Sequence, residues 1–116
     1  MKRILILGAG GMAGHMIAYH LLLAGHKIFS AARRPLPEPL SASYLFFDAD
    51  KEDSLPKLMA NTRPDIVINC IGVLVKESEA DPIRAIRMNA LLPRLVASIC
   101  TEYSAKTIHQ IGRAHV

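Results

Sequence analysis

The stretch ILILGAGGMAG, residues 4–14, constrains the chain more than any other. A strand over 2 to 7, apolar without a break from Ile4, suits burial on both faces, and glycines stop it abruptly. Gly8, Gly11 and Gly14 stand in a G-x-x-G-x-x-G spacing, and Gly8 with Gly10 also satisfies G-x-G. From Met12 to Leu23 apolar residues recur at helical spacing through Ala13, Ile17, Leu21 and Ala24, and Gly25 follows where a C-terminal glycine cap belongs. A chain that opens with buried strand, glycine turn and helix is committed to an α/β arrangement.

The remaining residues repeat that alternation. Lys27–Ala32 reads as a second strand, followed by RRPLPEPLSAS, a proline-spaced loop expected to be extended and non-helical. Residues 44–48 form a third predicted strand and 51–60 a short helix with Asp50 as its N-cap. Residues 65–70 (DIVINC) are a fourth strand. A long helix over 82–103 starts with proline in its first turn, and Lys106–His109 opens a fifth strand resembling a buried one. Parallel strands need helical crossovers, so the expected fold is a Rossmann-type doubly wound parallel sheet of order 3-2-1-4-5, without repeat or linker.

At 116 residues the chain is at most one domain. It is 51% hydrophobic and 21% charged, as soluble globular proteins are, with a net charge of +4 spread along it. Without a basic stripe interleaved with aromatics, nucleic acid is not an expected partner. The apolar run before Gly8 is too short for a secretion signal and nothing approaches a membrane span, so a cytoplasmic protein is expected. Cys70 and Cys100 lie in apolar runs without metal-type spacing and read as reduced, buried thiols. His15, His20 and His26 share no ligand-like arrangement, and no metal is expected.

Between a buried strand and a helix, the glycine spacing fits a dinucleotide fingerprint. Gly8 permits the tight turn, Gly11 lets backbone approach a pyrophosphate, and Gly14 lets helix pack on strand, with Gly10 and Met12 in the same loop. The helix start offers free N–H groups and a positive dipole to phosphates. About twenty residues on, an NAD-selecting chain carries an acid for the ribose 2′-hydroxyl, whereas this one has Arg33 and Arg34. A guanidinium there can fork onto a 2′-phosphate, so NADP(H) is expected, with NAD(H) the alternative if both arginines only solvate a loop. Asp48 and Ala49 end the third strand, where an acid accepts from an adenine amino group or caps a helix. Asn69, Cys70, Ile71 and Gly72 end the fourth, beside the expected ribose site.

With FDAD after strand three and INCIGVLVKESEADPIRAIRMNALLPRLVA after strand four, residues 1–109 resemble the extended short-chain dehydrogenase/reductases, most narrowly the dTDP-4-dehydrorhamnose reductase branch of nucleotide-sugar reductases. The resemblance implies an NADP(H)-dependent reductase of a nucleotide-activated keto-deoxysugar, and leaves open an oligomer of the full-length parent. An epimerase or dehydratase on the same fold, or a non-catalytic dinucleotide sensor, are the competing readings. The family's catalytic Tyr-x-x-x-Lys pair has no match: Tyr103 and Lys106 are one residue too close, and are expected as a surface tyrosine and a solvated lysine. The resemblance further implies that Asn89, placed inward with Ile86, Pro93 and Val96, serves a proton relay, its carbonyl freed because Pro93 has no N–H. A structural bond to the loop after strand four is the plainer role. Lys76, Glu77 and Glu79 in that loop read as solvated charges.

The ending departs from the family. IGRAHV is one reading frame of ATCGGAAGAGCACACGTC, which resembles a sequencing adapter. Residues 1–109 are therefore expected to be a partial coenzyme-binding domain, inactive alone, and 110–116 a non-native tail without function. Strand five would then be an unpaired, association-prone edge.

Overall fold

The computed structural model describes residues 1–51, 53–72 and 79–110. Its elements run β1 (Arg3–Leu7), α1 (Met12–Leu23), β2 (Lys27–Ala32), a 3₁₀ turn (Leu40–Ser43), β3 (Tyr44–Phe46), α2 (Ser54–Thr62), β4 (Ile66–Asn69), α3 (Pro82–Ile86), a π turn (Arg87–Leu91), α4 (Leu92–Glu102) and β5 (Lys106–His109). All strand pairs are parallel and the order is β3-β2-β1-β4-β5, as the alternation requires. Lys76, Glu77 and the tail from 111 lie outside the described residues.

Strand periodicity divides the core in two. Leu5 and Leu7 of β1, with Val67, pack against Leu55, Leu58 and Met59 of α2 and against Met88, Leu92, Val96 and Cys100 of the long helical segment. Ile4 and Ile6, with Ile28 and Ile68, pack against Ala18 of α1. A strand covered on both sides must be apolar at every position, hence the uninterrupted ILIL.

Between β2 and β3 no helix covers the sheet. Leu36 and Leu40 do so instead, joining the α1 cluster from the proline-rich loop, which is extended only as far as the 3₁₀ turn. The early prolines disfavour a helix, while the two leucines supply the apolar cover one would have given. A partly buried Ser30–Ser43 hydroxyl pair (2.8 Å) fixes that turn to β2.

Several boundaries differ from expectation. Helix α2 starts at Ser54, so Asp50 is not its N-cap; Asp53 holds that position without a side-chain cap bond. Asp50 instead pairs with Arg84 at 3.4 Å, a partner 34 residues away. At the other end of α2, Arg63 adopts the left-handed conformation and the Arg3 guanidinium takes the last carbonyls, with Nη2 donating to Thr62 O at 2.6 Å and Nε to Arg63 O at 3.2 Å. Strand β5 is an edge exposed along its length, with Ile108 51% exposed, so it is not a buried strand. Tyr103 is half-buried against the core rather than a surface residue, while Lys106 is exposed.

Candidate functional site

The glycine turn is built by close approach. Gly8 leaves β1 with φ +84°, and a Cβ there would stand 2.8 Å from Ile71 Cγ1 and 3.2 Å from the Cys70 carbonyl carbon. The Gly8 and Ala9 amides both donate to Ala31 O at 3.0 Å, and the Gly11 amide turns back to Gly8 O at 3.2 Å. These bonds leave the chain lying flat across the sheet end. Gly14 is buried in the first turn of α1, where an added Cβ would collide with Gly8 O and come within 2.8 Å of Gly8 C. Gly11 differs: a Cβ there would meet nothing closer than Gly8 O at 3.6 Å, so the space beside it is open. It is also the N-cap, has no side chain to occupy the first-turn amides, and no acid stands in that turn. The start of a twelve-residue helix is thereby presented bare, which suits an anion.

Above the turn a cleft of about 480 Å³ opens across the C-terminal ends of the first four strands. Gly8, Gly10 and Gly11 form its floor, and Arg33 and Arg34 border it after β2. Asp48 and Ala49 line it after β3, and Cys70, Ile71 and Gly72 after β4. Both arginines are exposed and, among the described residues, neither has an ion-pair partner. Glycine amides and two exposed guanidiniums, with no acid beside them at the end of β2, give this part of the cleft the chemistry to hold an anionic ligand.

The Met12 side chain is 88% exposed and does not line the cleft, so only its main-chain amide, the first of α1, belongs to the bare helix start. Gly14 contributes through packing alone. Asn69 is fully buried and its side chain is spent within the protein, Oδ1 accepting from the Ile71 amide at 3.0 Å and Nδ2 lying 3.3 Å from His109 Nδ1. It shapes the Ile71–Gly72 backbone and ties it to β5. Asp48 is no helix cap, since Oδ1 accepts from the Asp50 amide at 3.0 Å within the loop and its carbonyl receives the Ser54 hydroxyl at 2.7 Å. Cys70 faces the cleft with burial pushing its thiol up to about 11, which keeps it protonated and unreactive near neutral pH.

Asn89 does not point inward. The buried stripe of the long helical segment is Ala85, Met88, Leu92, Val96 and Cys100, whereas Ile86 is 65% exposed and Asn89 is exposed beside it. Around Pro93 the helix widens: the Leu92 amide reaches back five residues to Arg87 O, and the π turn at Arg87–Leu91 rotates the face that a regular α-helix would have buried. Asn89 Oδ1 nevertheless stands 3.3 Å from where a Cβ on Gly72 would be, so it lies against the loop after β4.

Sequence reasoning missed Leu36, Asp50, Arg84 and Met88, all of which line the cleft. Leu36, an isolated leucine between two prolines directly after the arginines, carried a readable signal. Arg84 carried none, because its partner comes from another element.

A parallel sheet whose strand order reverses between β1 and β4, with a glycine turn under a cleft at its carboxyl edge, defines a Rossmann-type domain. Residues 4–116 match the NAD dependent epimerase/dehydratase family, and the chain belongs to it. Its relatives include dTDP-4-dehydrorhamnose reductase of Mycolicibacterium smegmatis, 34% identical over 93% of this chain and 29% of the relative. Another is dTDP-6-deoxy-L-talose 4-dehydrogenase (NAD(P)(+)) of Kitasatospora kifunensis, 27% identical over 97% of this chain and 36% of the relative. Among solved structures, L-threonine 3-dehydrogenase from Trypanosoma brucei superposes with a TM-score of 0.84 at 18% identity, covering 94% of this chain and 36% of that one. The chain spans about a third of the length of the curated relatives it matches.

Proposed function

We propose that this chain is the coenzyme-binding part of an NADP(H)-dependent reductase of a nucleotide-activated keto-deoxysugar. The observation that carries the coenzyme assignment is the pair Arg33 and Arg34 on the cleft wall after β2, at the position where an acid would favour a free ribose 2′-hydroxyl. The sugar substrate rests on the dTDP-sugar oxidoreductases among its relatives. Gly10, Gly11 and the first-turn amides of α1 hold the pyrophosphate, the two arginines the 2′-phosphate, and Asp48 the adenine amino group. Asn69, through the Ile71 amide, keeps the loop after β4 beside the nicotinamide ribose. The bound reduced nicotinamide supplies hydride. Among the described residues Tyr103 packs against the core and Lys106 sits on β5, so this pair is not placed to supply a proton and turnover is not expected from these residues alone.

The test is a fluorescence titration of this chain with NADPH and with NADH. NADPH should bind about tenfold or more tightly, since one charge-assisted bond to phosphate contributes roughly 1.5–3 kcal/mol. Replacing Arg33 and Arg34 together by serine should remove that preference without raising affinity for NADH. Equal or tighter NADH binding by the unaltered chain rejects the assignment.

A further inference from the structure

We infer that Arg84 and Asp50 act as a clasp over the adenosine end of the cleft and are positioning residues for that half of the coenzyme, an inference that rests on the proposed coenzyme site. Asp50 belongs to the loop after β3 and Arg84 to α3, and both line the cleft. Their side chains meet across it, with Nε and Nη2 of Arg84 each 3.4 Å from the same oxygen, Oδ2 of Asp50. The two anchoring segments are fixed independently of the pair. On the α3 side, the Asp81 side chain accepts from the Arg84 amide at 3.1 Å and Pro82 sets the first turn. On the β3 side, Asp48 Oδ1 holds the Asp50 amide at 3.0 Å. The ion pair therefore joins two prepared ends.

The pair is also incompletely used. A fork that places two nitrogens on one oxygen leaves Nη1 of Arg84 and Oδ1 of Asp50 outside the contact. Both side chains are more than a third exposed, at 38% and 39%. A contact of this strength can open to admit a base and close behind it. Closed, it keeps the loop carrying Asp48 against the helix that carries Met88, the two surfaces between which adenine would lie.

The clasp and a simple electrostatic field make opposite predictions for one substitution. Asp50→Asn removes a negative charge next to an anionic ligand, so a field effect alone tightens binding. Loss of the clasp weakens it.

Binding of 2′,5′-ADP, which is the adenosine half without the nicotinamide, is measured calorimetrically for the unaltered chain, Asp50→Asn, Arg84→Met and the charge-swapped double substitution Asp50→Arg with Arg84→Asp. Each single change should weaken binding by roughly two- to fivefold, the range that a partly exposed ion pair supports. The swap, which keeps net charge constant, should recover most of the loss, while melting temperatures without ligand stay within about 2 °C of one another. Tighter or unchanged binding by Asp50→Asn overturns the clasp, as does a swap that restores nothing. Failure of the unaltered chain to bind either 2′,5′-ADP or NADPH overturns the coenzyme site itself and is thereby distinguished.

Discussion

Gly14→Ala tests whether close packing of α1 on the glycine turn is what demands glycine there. The new methyl carbon would stand 2.8 Å from Gly8 C and 3.0 Å from Ala9 Cα, and nearer still to Gly8 O, all main-chain atoms. Ordinary contact needs about 3.5–4 Å, so helix and turn must separate by roughly 1 Å. Such overpacking costs about 1–3 kcal/mol, with more where backbone must move. Against it, alanine in place of glycine inside a helix gains about 1 kcal/mol. The clash involves backbone on both sides and wins, leaving a net loss of about 1–2 kcal/mol. For a domain of this size that lowers the melting temperature by roughly 4–10 °C in a calorimetric scan. Gly11→Ala is the internal control: its methyl meets only Gly8 O at 3.6 Å, so it should melt within about 2 °C of the unaltered chain and yet weaken NADPH binding by occupying the open side of the turn. A Gly14→Ala chain as stable as the original would refute the packing account.

Other substitutions probe what surrounds the turn. Arg3→Met should cost about 1–2 kcal/mol in urea unfolding, because it removes the guanidinium that donates to Thr62 O and Arg63 O at the end of α2 while keeping the apolar stem. Asn69→Leu should destabilise by about 1–3 kcal/mol by stranding the Ile71 amide, and should loosen the Ile71–Gly72 segment in hydrogen exchange. Cys70 gives a pH dependence: its thiol is raised from 9.0 to about 11 by burial, so between those values the unfolded chain has lost a proton that the folded chain retains. Stability should therefore fall as pH rises from about 9 to 11 and be unaffected by this group below 9, and Cys70→Ala should flatten that decline. Persistence of the full decline in Cys70→Ala would assign it to other groups.

How much of this was legible in the sequence depends on the range of the interaction concerned. Positions governed by neighbours within a few residues were readable: Gly8 with its positive φ, Gly25 closing α1, Pro82 opening α3, and the alternation that fixes the strand order. Lys27–Ala32 and Lys106–His109 were bounded correctly because composition changes sharply at their ends. Positions governed by a distant partner were not. Asp50 has the residue type and placement of a helix cap, and only the fold reveals that Arg84 competes for it while α2 begins four residues later. Asn89 failed differently. A regular 3.6-residue period puts it with Ile86 and Val96, but Pro93 removes one donor and the helix answers by widening, so Ile86 and Asn89 are exposed while Val96 stays buried. The missing N–H was visible in the sequence, and its consequence for facing was not, since a helix can meet it by bending, by leaving a carbonyl to water, or by a π turn.

The floor and wall of the cleft differ for a related reason. Its floor is backbone, and glycine spacing encodes backbone geometry locally. Its far wall is made by side chains from the loop after β3 and from the long helical segment, brought together only when β4 has paired with β1. Phosphate recognition can therefore be read from a dozen consecutive residues. The end of the cleft where Asp48, Asp50, Arg84 and Met88 converge, proposed above for adenosine, is a property of the assembled sheet. This division predicts where relatives with the same glycine turn can diverge in coenzyme affinity without altering the fold: at the half-exposed ion pair on the rim, not at the buried glycines beneath it.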